Sequence, residues 1–235
     1  MNTSNFSEDY FKNGAVLCFD KPLNWTSFQL VNKVRWLIRQ KYTIKKIKVG
    51  HAGTLDPLAT GLVIICTGKA TKTIANLMGQ YKVYTGEITL GATRPSFDME
   101  TEINAEFPYE HITKERIQNK IQEFSGTILQ QPPVFSALKK DGKRLYEYAR
   151  KGETVDIPKR EVTIHHFGIS KINLPKLEFE VKCSKGTYIR SLAHDFGKAL
   201  ESGAFLSGLK RTRIGDFKLE QATTIEDFNK TLDFS

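Results

Sequence analysis

GHAGTLDPLATG, residues 50–61, sets three glycines, two alanines, one histidine, one proline and one carboxylate between segments that read as ordinary core. The apolar run GLVIICTG, starting at Gly61, continues it as a buried strand, so the loop has a rigid mount. Asp56 precedes Pro57, a common turn pair, because proline fixes its own φ and holds the preceding residue extended. A structural turn is therefore one reading of this acid. The other is a reactive group: glycines at 50, 53 and 61 flank it, and small residues let another molecule's backbone come close.

The pattern on either side of the loop is mixed. AVLCFDKP reads as a short strand stopped by Pro22. Thr26 and Gln29 have capping-box spacing, and Phe28, Val31, Val34 and Leu37/Ile38 recur at helical spacing, which predicts an amphipathic helix over 27–41. Beyond the loop, KATKTIANLMGQ reads as a helix, YKVYTGEITLG as a strand, and residues 92–108 as loop. Thr113 opens a helix to 124. PPVFSALKKDGKRLYEYARKG holds a loop and a short helix. Strands over 160–173 and 176–184, a helix over 187–202, a strand over 205–214 and a short helix near 224–230 complete the chain. Helices and strands mix without βαβ alternation, so the expected class is α+β, a mixed, mainly antiparallel sheet flanked by helices.

The chain has 235 residues, which suits one large domain or two small ones. With no repeat, linker or low-complexity tract, the expectation is a single catalytic domain over 1–235 with a basic insertion around 105–155. No apolar run approaches the ~18–20 residues that cross a bilayer, and the N-terminus lacks a signal-peptide pattern, so the expected location is cytoplasmic. Cys18, Cys66 and Cys183 are isolated within strand-like runs and read as buried core thiols. No metal-ligand spacing occurs among the histidines. GxGxxG and GxSxG are absent, and TGKATKT fails as a phosphate loop at Val63 and Ala70. His165–His166 on a strand and His194–Asp195 on a helix read as structural. Thirty-five Lys and Arg against 26 Asp and Glu give a net charge of +9. Lys33 to Lys48 holds seven bases and no acid, and further clusters lie at 139–144, 150–151 and in LKRTR, 209–213. Several such clusters point to a polyanion, nucleic acid first.

GHAGTLDPLATGLVIICTGKATK resembles the signature of the TruB family of tRNA pseudouridine synthases, which convert uridine 55 in the T loop. Further segments are similar to that family in the same order: LCFDKPLNWTS, YKVYTGEITLGATRPSFDMET, the insertion PPVFSALKKDGKRLYEYARKG, the arginine motif CSKGTYIRSLAHDFGKAL and the late strand LSGLKRTRIGDF. Together they span residues 14 to about 217.

The resemblance implies a pseudouridine synthase fold, no cofactor and no metal, a tRNA T-arm as partner, no obligate protein partner, and a monomer. It implies Asp56 as the catalytic aspartate, and Tyr84 as the ring that stacks on the target uracil near the proton lost from C5. Arg190 would pair with Asp56 and Tyr188 would line the same pocket. Leu209 would pack on the base, Lys21 would sit at the pocket's edge, and His51 would fill the space left by the extruded base. Asp98 would support substrate or a turn. The chemistry agrees with the missing cofactor motifs. Breaking C1′–N1, turning the uracil and joining C5 to C1′ changes no oxidation state. One ionised carboxylate suffices, either attacking C1′ or taking the 2′ proton to give a glycal. A desolvated aspartate tends to become protonated, and a guanidinium beside it opposes that shift. Extruding a base costs a few kcal/mol, which stacking on an aromatic offsets by ~1–3 kcal/mol.

Many bacterial members continue into a small RNA-binding domain resembling a PUA module. Only about twenty residues follow GDF here, so no such domain is expected. Two alternatives differ in class: a noncatalytic tRNA-binding or folding protein using the same cleft, and a base-excising glycosidase, for which Asp98 is the second-carboxylate candidate.

Overall fold

The computed structural model describes residues 6–136, 138–153 and 155–232. In chain order, its first elements are α1 (Glu8–Gly14), β1 (Val16–Lys21), α2 (Ser27–Tyr42), β2 (Val49–His51), β3 (Ala59–Thr67), α3 (Ile74–Gly79) and β4 (Lys82–Leu90). Next come β5 (Ala92–Thr93), β6 (Ala105–Glu106), α4 (Lys114–Glu123), β7 (Gly126–Gln130), β8 (Lys139–Lys140), β9 (Lys143–Arg144) and α5 (Leu145–Arg150). The last are β10 (Arg160–Asn173), β11 (Lys176–Cys183), α6 (Ile189–Ala199), β12 (Ala204–Ile214), β13 (Phe217–Lys218) and α7 (Ile225–Thr231). Helices mixed with the antiparallel pairs β1–β3, β2–β3, β10–β11 and β10–β7 are the expected α+β class.

The chain divides into two units, Met1–Tyr84 with Lys210–Ser235, and Thr85–Leu209, so the boundary falls inside β4 and inside β12. In the first unit the strand order is β1-β3-β12-β4, with β2 added to β3 and β13 to β12. β3 is buried along nearly its whole length, as an unbroken apolar run requires. α7 packs on α2 and β1, and Phe19 meets Phe228 edge-on at 5.2 Å between centroids. In the second unit the order is β12-β4-β11-β10-β7. α4 packs against α6 and β10, and Phe196 meets Phe124 and Phe167 edge-on. Residues 139–150 supply the hairpin β8–β9 and the short helix α5.

Thr26 caps α2 as its spacing predicts. Its Oγ1 accepts the Gln29 amide at 3.0 Å, and Gln29 Oε1 accepts the Thr26 amide at 2.7 Å. The inner face is Leu30, Val31, Val34, Leu37 and Ile38. Phe28, expected in that stripe, is instead 65 % exposed. The first helical residue, Ser27, turns inward to bond Leu55, and a helical step of 100° then carries Phe28 outward.

Other departures are local. KATKTIANLMGQ is a 3₁₀ turn, Gly68–Thr73, followed by the short α3, rather than one helix. The stretch 92–108 pairs with itself as β5–β6. α1 and β7 were not anticipated. The three cysteines are buried and free, as expected; burial pushes the Cys18 thiol up to about 11, with Cys66 adding to it. His194 is held by packing, stacked on Phe97 at 3.9 Å between ring centroids, and burial lowers its pKa to about 4, with Lys198 adding to it. Among the described residues no helix is long and apolar enough to cross a membrane.

Candidate active site

Residues 53–58 form neither helix nor strand, so their backbone polar groups need partners from elsewhere. They have them. Ser27 Oγ, at the start of α2, accepts the Leu55 amide at 2.8 Å and donates to the Leu55 carbonyl at 3.1 Å. The Asn24 amide donates to the Pro57 carbonyl at 2.9 Å. Lys21 Nζ, at the end of β1, donates to the carbonyls of Trp25 at 2.6 Å, Pro22 at 2.9 Å and Pro57 at 3.4 Å. Arg211, on β12, donates from Nη2 to Gly53 O at 3.1 Å, from Nη1 to Thr54 O at 3.3 Å and from Nε to Leu62 O at 2.7 Å. The Ala59 amide closes the turn on the Asp56 carbonyl at 3.1 Å. Asp56 is thus half-buried on a loop fastened before and after it.

Two fully buried cations flank the strand that carries this loop. In β1, Lys21 stands opposite Gly61. On the other side, a Cβ at Gly61 would lie 2.3 Å from the Arg211 carbonyl oxygen, and Gly61 has φ +101°. Only glycine permits both the conformation and the approach. The small residue expected to admit another molecule therefore admits this chain's own β12.

Burial lowers the Lys21 pKa to about 8; the Asp56 carboxylate pulls the other way, while the Arg211 guanidinium lowers it further. His51, half-buried on β2 opposite Ile65, is lowered by burial. A hydrogen bond with the Gly53 backbone raises it, and Arg211 adds to the lowering. On balance its pKa lies below the ordinary imidazole value, which favours the neutral ring. The first unit thus brings Lys21, His51 and Asp56 to one loop. Tyr84, on β4 in the same unit, is buried, on the strand face it shares with Lys82.

The second unit gathers Asp98, Tyr188 and Arg190 around the start of α6 and carries Leu209 on β12. Arg190 is buried there. Its Nε lies 3.5 Å from Asp98 Oδ2, and its Nη1 donates to the carbonyls of Phe135 at 2.9 Å and Ser96 at 3.3 Å. Asp98 Oδ1 accepts the Glu100 amide at 3.0 Å, so this acid supports a turn and partners the arginine. Tyr188 precedes α6, fixed by Gln130, whose Oε1 accepts its amide at 2.8 Å and whose Nε2 donates to its carbonyl at 3.0 Å. Its ring lies under the Arg160 guanidinium at 4.9 Å. Leu209 is half-buried on β12.

Ser27 and Arg211 escaped the sequence reading. Arg211 was grouped with its neighbours as one basic cluster, although alternation along a strand sends Lys210 and Arg211 to opposite faces. Lys210 is exposed and Arg211 is 1 % exposed.

Residues 39–189 match the family model described as TruB family pseudouridylate synthase (N terminal domain), and residues 190–234 that of the tRNA pseudouridylate synthase B C-terminal domain. A Flavobacterium johnsoniae protein named tRNA pseudouridine synthase B is 56 % identical over 226 residues, 96 % of this chain and 98 % of the relative. A Phocaeicola vulgatus protein of the same name is 56 % identical over 223 residues, 95 % of each chain. Among solved structures, a chain of a Cbf5-Nop10-Gar1 complex is similar with TM-score 0.71 and 28 % identity, over 97 % of this chain and 57 % of that one. A chain of an archaeal box H/ACA sRNP Nop10-Cbf5 complex gives TM-score 0.70 and 25 % identity, over 99 % and 58 %. With a family model covering well over half the sequence and relatives this similar end to end, the chain belongs to the TruB family of pseudouridylate synthases.

Proposed function

We propose that the protein isomerises uridine to pseudouridine at position 55 in the T loop of tRNA, with Asp56 as the catalytic aspartate acting on an extruded nucleotide. The observation that carries this is the fastening of the Asp56 loop by Ser27, Lys21 and Arg211, in a chain 56 % identical to proteins named tRNA pseudouridine synthase B. A reactive carboxylate needs a fixed position relative to the sugar, and irregular backbone gains one only through such partners.

The other assigned residues take roles that follow from their chemistry. Tyr84 offers a ring for the uracil, Leu209 an apolar contact and Tyr188 a wall of the pocket. Neutral His51 enters the space that the base vacates. Arg190 supplies the cation that favours an ionised Asp56, itself oriented by Asp98 and two carbonyls. Lys21 acts on the loop rather than on substrate, since its ammonium is taken up by three carbonyls. The basic clusters hold phosphates without reading sequence, and specificity comes from the shape of the loop and its splayed bases. The protein works in the cytoplasm as a monomer, without metal or cofactor.

Incubation with an unmodified tRNA transcript, followed by mass-resolved mapping of T-loop uridines, tests the proposal. Pseudouridine at position 55 is the expected product. Unchanged uridine would leave a tRNA-binding protein, and free uracil would mean a glycosidase.

A further inference from the structure

Two features beside the loop cost stability and bear on how it is held. Gly61 gives up a side chain in the middle of a buried strand, which weakens a strand. Arg211 places a guanidinium where an apolar side chain would pack at lower desolvation cost. The first permits the second: the glycine lets the β12 backbone press against β3, and that approach delivers the guanidinium to the carbonyls of Gly53, Thr54 and Leu62.

We propose that Arg211 is a positioning residue for catalysis, holding the Asp56 loop against β3 so that the carboxylate keeps its place while RNA is bound. The inference rests on the function proposed above. A guanidinium suits the task because its planar fork presents several donors in fixed directions, each reaching a different carbonyl. Two of these carbonyls precede Asp56 within the loop and the third lies beyond it on β3, so one side chain ties the irregular segment to the rigid strand. Ser27 and Lys21 bind the loop from the α2 and β1 side. Without Arg211, residues 53 and 54 would lose their anchor, and 55 and 57, though still bonded to Ser27 and Lys21, would open more often with them. The loop would loosen on one side without detaching. Its charge also lies close enough to His51 to help keep that imidazole neutral.

Arg211→Lys keeps the charge and loses the fork. In this variant kcat for pseudouridine formation is expected to fall on the order of 10²-fold, the scale of a reacting group misplaced by about 1 Å. KM and tRNA affinity should stay at the wild-type value, because Arg211 touches no substrate. The amides of Leu55 and Ala59 should exchange faster with solvent while those of α6 keep their protection. Arg211→Gln, measured alongside, retains an amide donor without charge and should show the same pattern. Wild-type kcat in a folded variant, or a fall confined to KM, would overturn the inference; so would unchanged exchange at Leu55 and Ala59. Were wild-type protein to form no pseudouridine, the proposed function would fall, while the exchange measurement would still decide whether Arg211 holds the loop.

Discussion

Ser27 and Leu55 hold each other twice, the serine hydroxyl taking the leucine amide at 2.8 Å and giving its proton to the leucine carbonyl at 3.1 Å. A single side chain thus satisfies both backbone groups of the residue before Asp56, and both Ser27 and Leu55 are buried. Ser27→Ala leaves that amide and carbonyl without partners out of reach of water, at a cost of about 1–3 kcal/mol. A fall in unfolding free energy of that size, together with a lower kcat, is expected from urea titration and turnover. Stability and kcat both at the wild-type level would show that the loop does not depend on this contact.

Lys21 gives a pH dependence whose sign is fixed. Its folded pKa of about 8 lies below the ordinary 10.5. Between those values the unfolded chain holds a proton that the folded chain has released, so the contribution of this position to stability rises with pH through that window. Below it, the whole cost of burying the ammonium is present. Lys21→Met removes the titration. The stability of wild type minus that of the variant should therefore increase from about pH 8 to 10.5. A difference that stays flat across this range, followed by chemical denaturation, would contradict the assignment.

What could be read from the sequence was whatever a local pattern encodes. The Thr26–Gln29 cap, the helix opened by Thr113 and the strands that became β10 and β11 each carry their own signal of capping or alternation. The acid loop stood out because its glycines interrupt apolar sequence. β7 carried no such signal: Leu129 is 64 % exposed, and the strand is ordered by pairing with β10. The α1 start was legible in Ser7-Glu8-Asp9, a cap with two acids in the first turn, but the helix is only seven residues long. Arg211 and Ser27 could not be identified from the motif, because they join it from β12 and α2 and meet its backbone rather than its side chains. Asp98 could be suspected from its segment, but its partnership with Arg190 is a tertiary fact.

Binding to tRNA should weaken steeply with salt. The surplus of 35 bases over 26 acids lies in clusters, and several of them are exposed in the structure, among them Arg144 and Arg150 around Tyr146 and Lys143 over Tyr148. Phosphate contacts release counterions. A protein making six to ten of them loses ~10³–10⁵-fold in affinity between 50 and 200 mM salt. Filter binding or anisotropy across that range reads the slope. A response near zero would remove the basic surface from the account of RNA recognition.

Asp56→Asn separates the acid's chemistry from its place in the fold. The loop is held through backbone groups, at Gly53, Thr54, Leu55 and Pro57, so replacing the side chain leaves these hydrogen bonds in place. The Asp56 carbonyl also keeps the Ala59 amide. An amide of nearly the same shape can neither attack C1′ nor take the 2′ proton, because it lacks the negative charge and the basicity that each route needs. Product formation should therefore vanish, while unfolding stability stays near the wild-type value and tRNA still binds. Loss of the carboxylate also removes the one influence of this acid on Lys21, so the lysine pKa should drop further below about 8. Retained turnover in the folded variant would exclude Asp56 as the essential group, and loss of RNA binding with turnover would make it a binding residue instead.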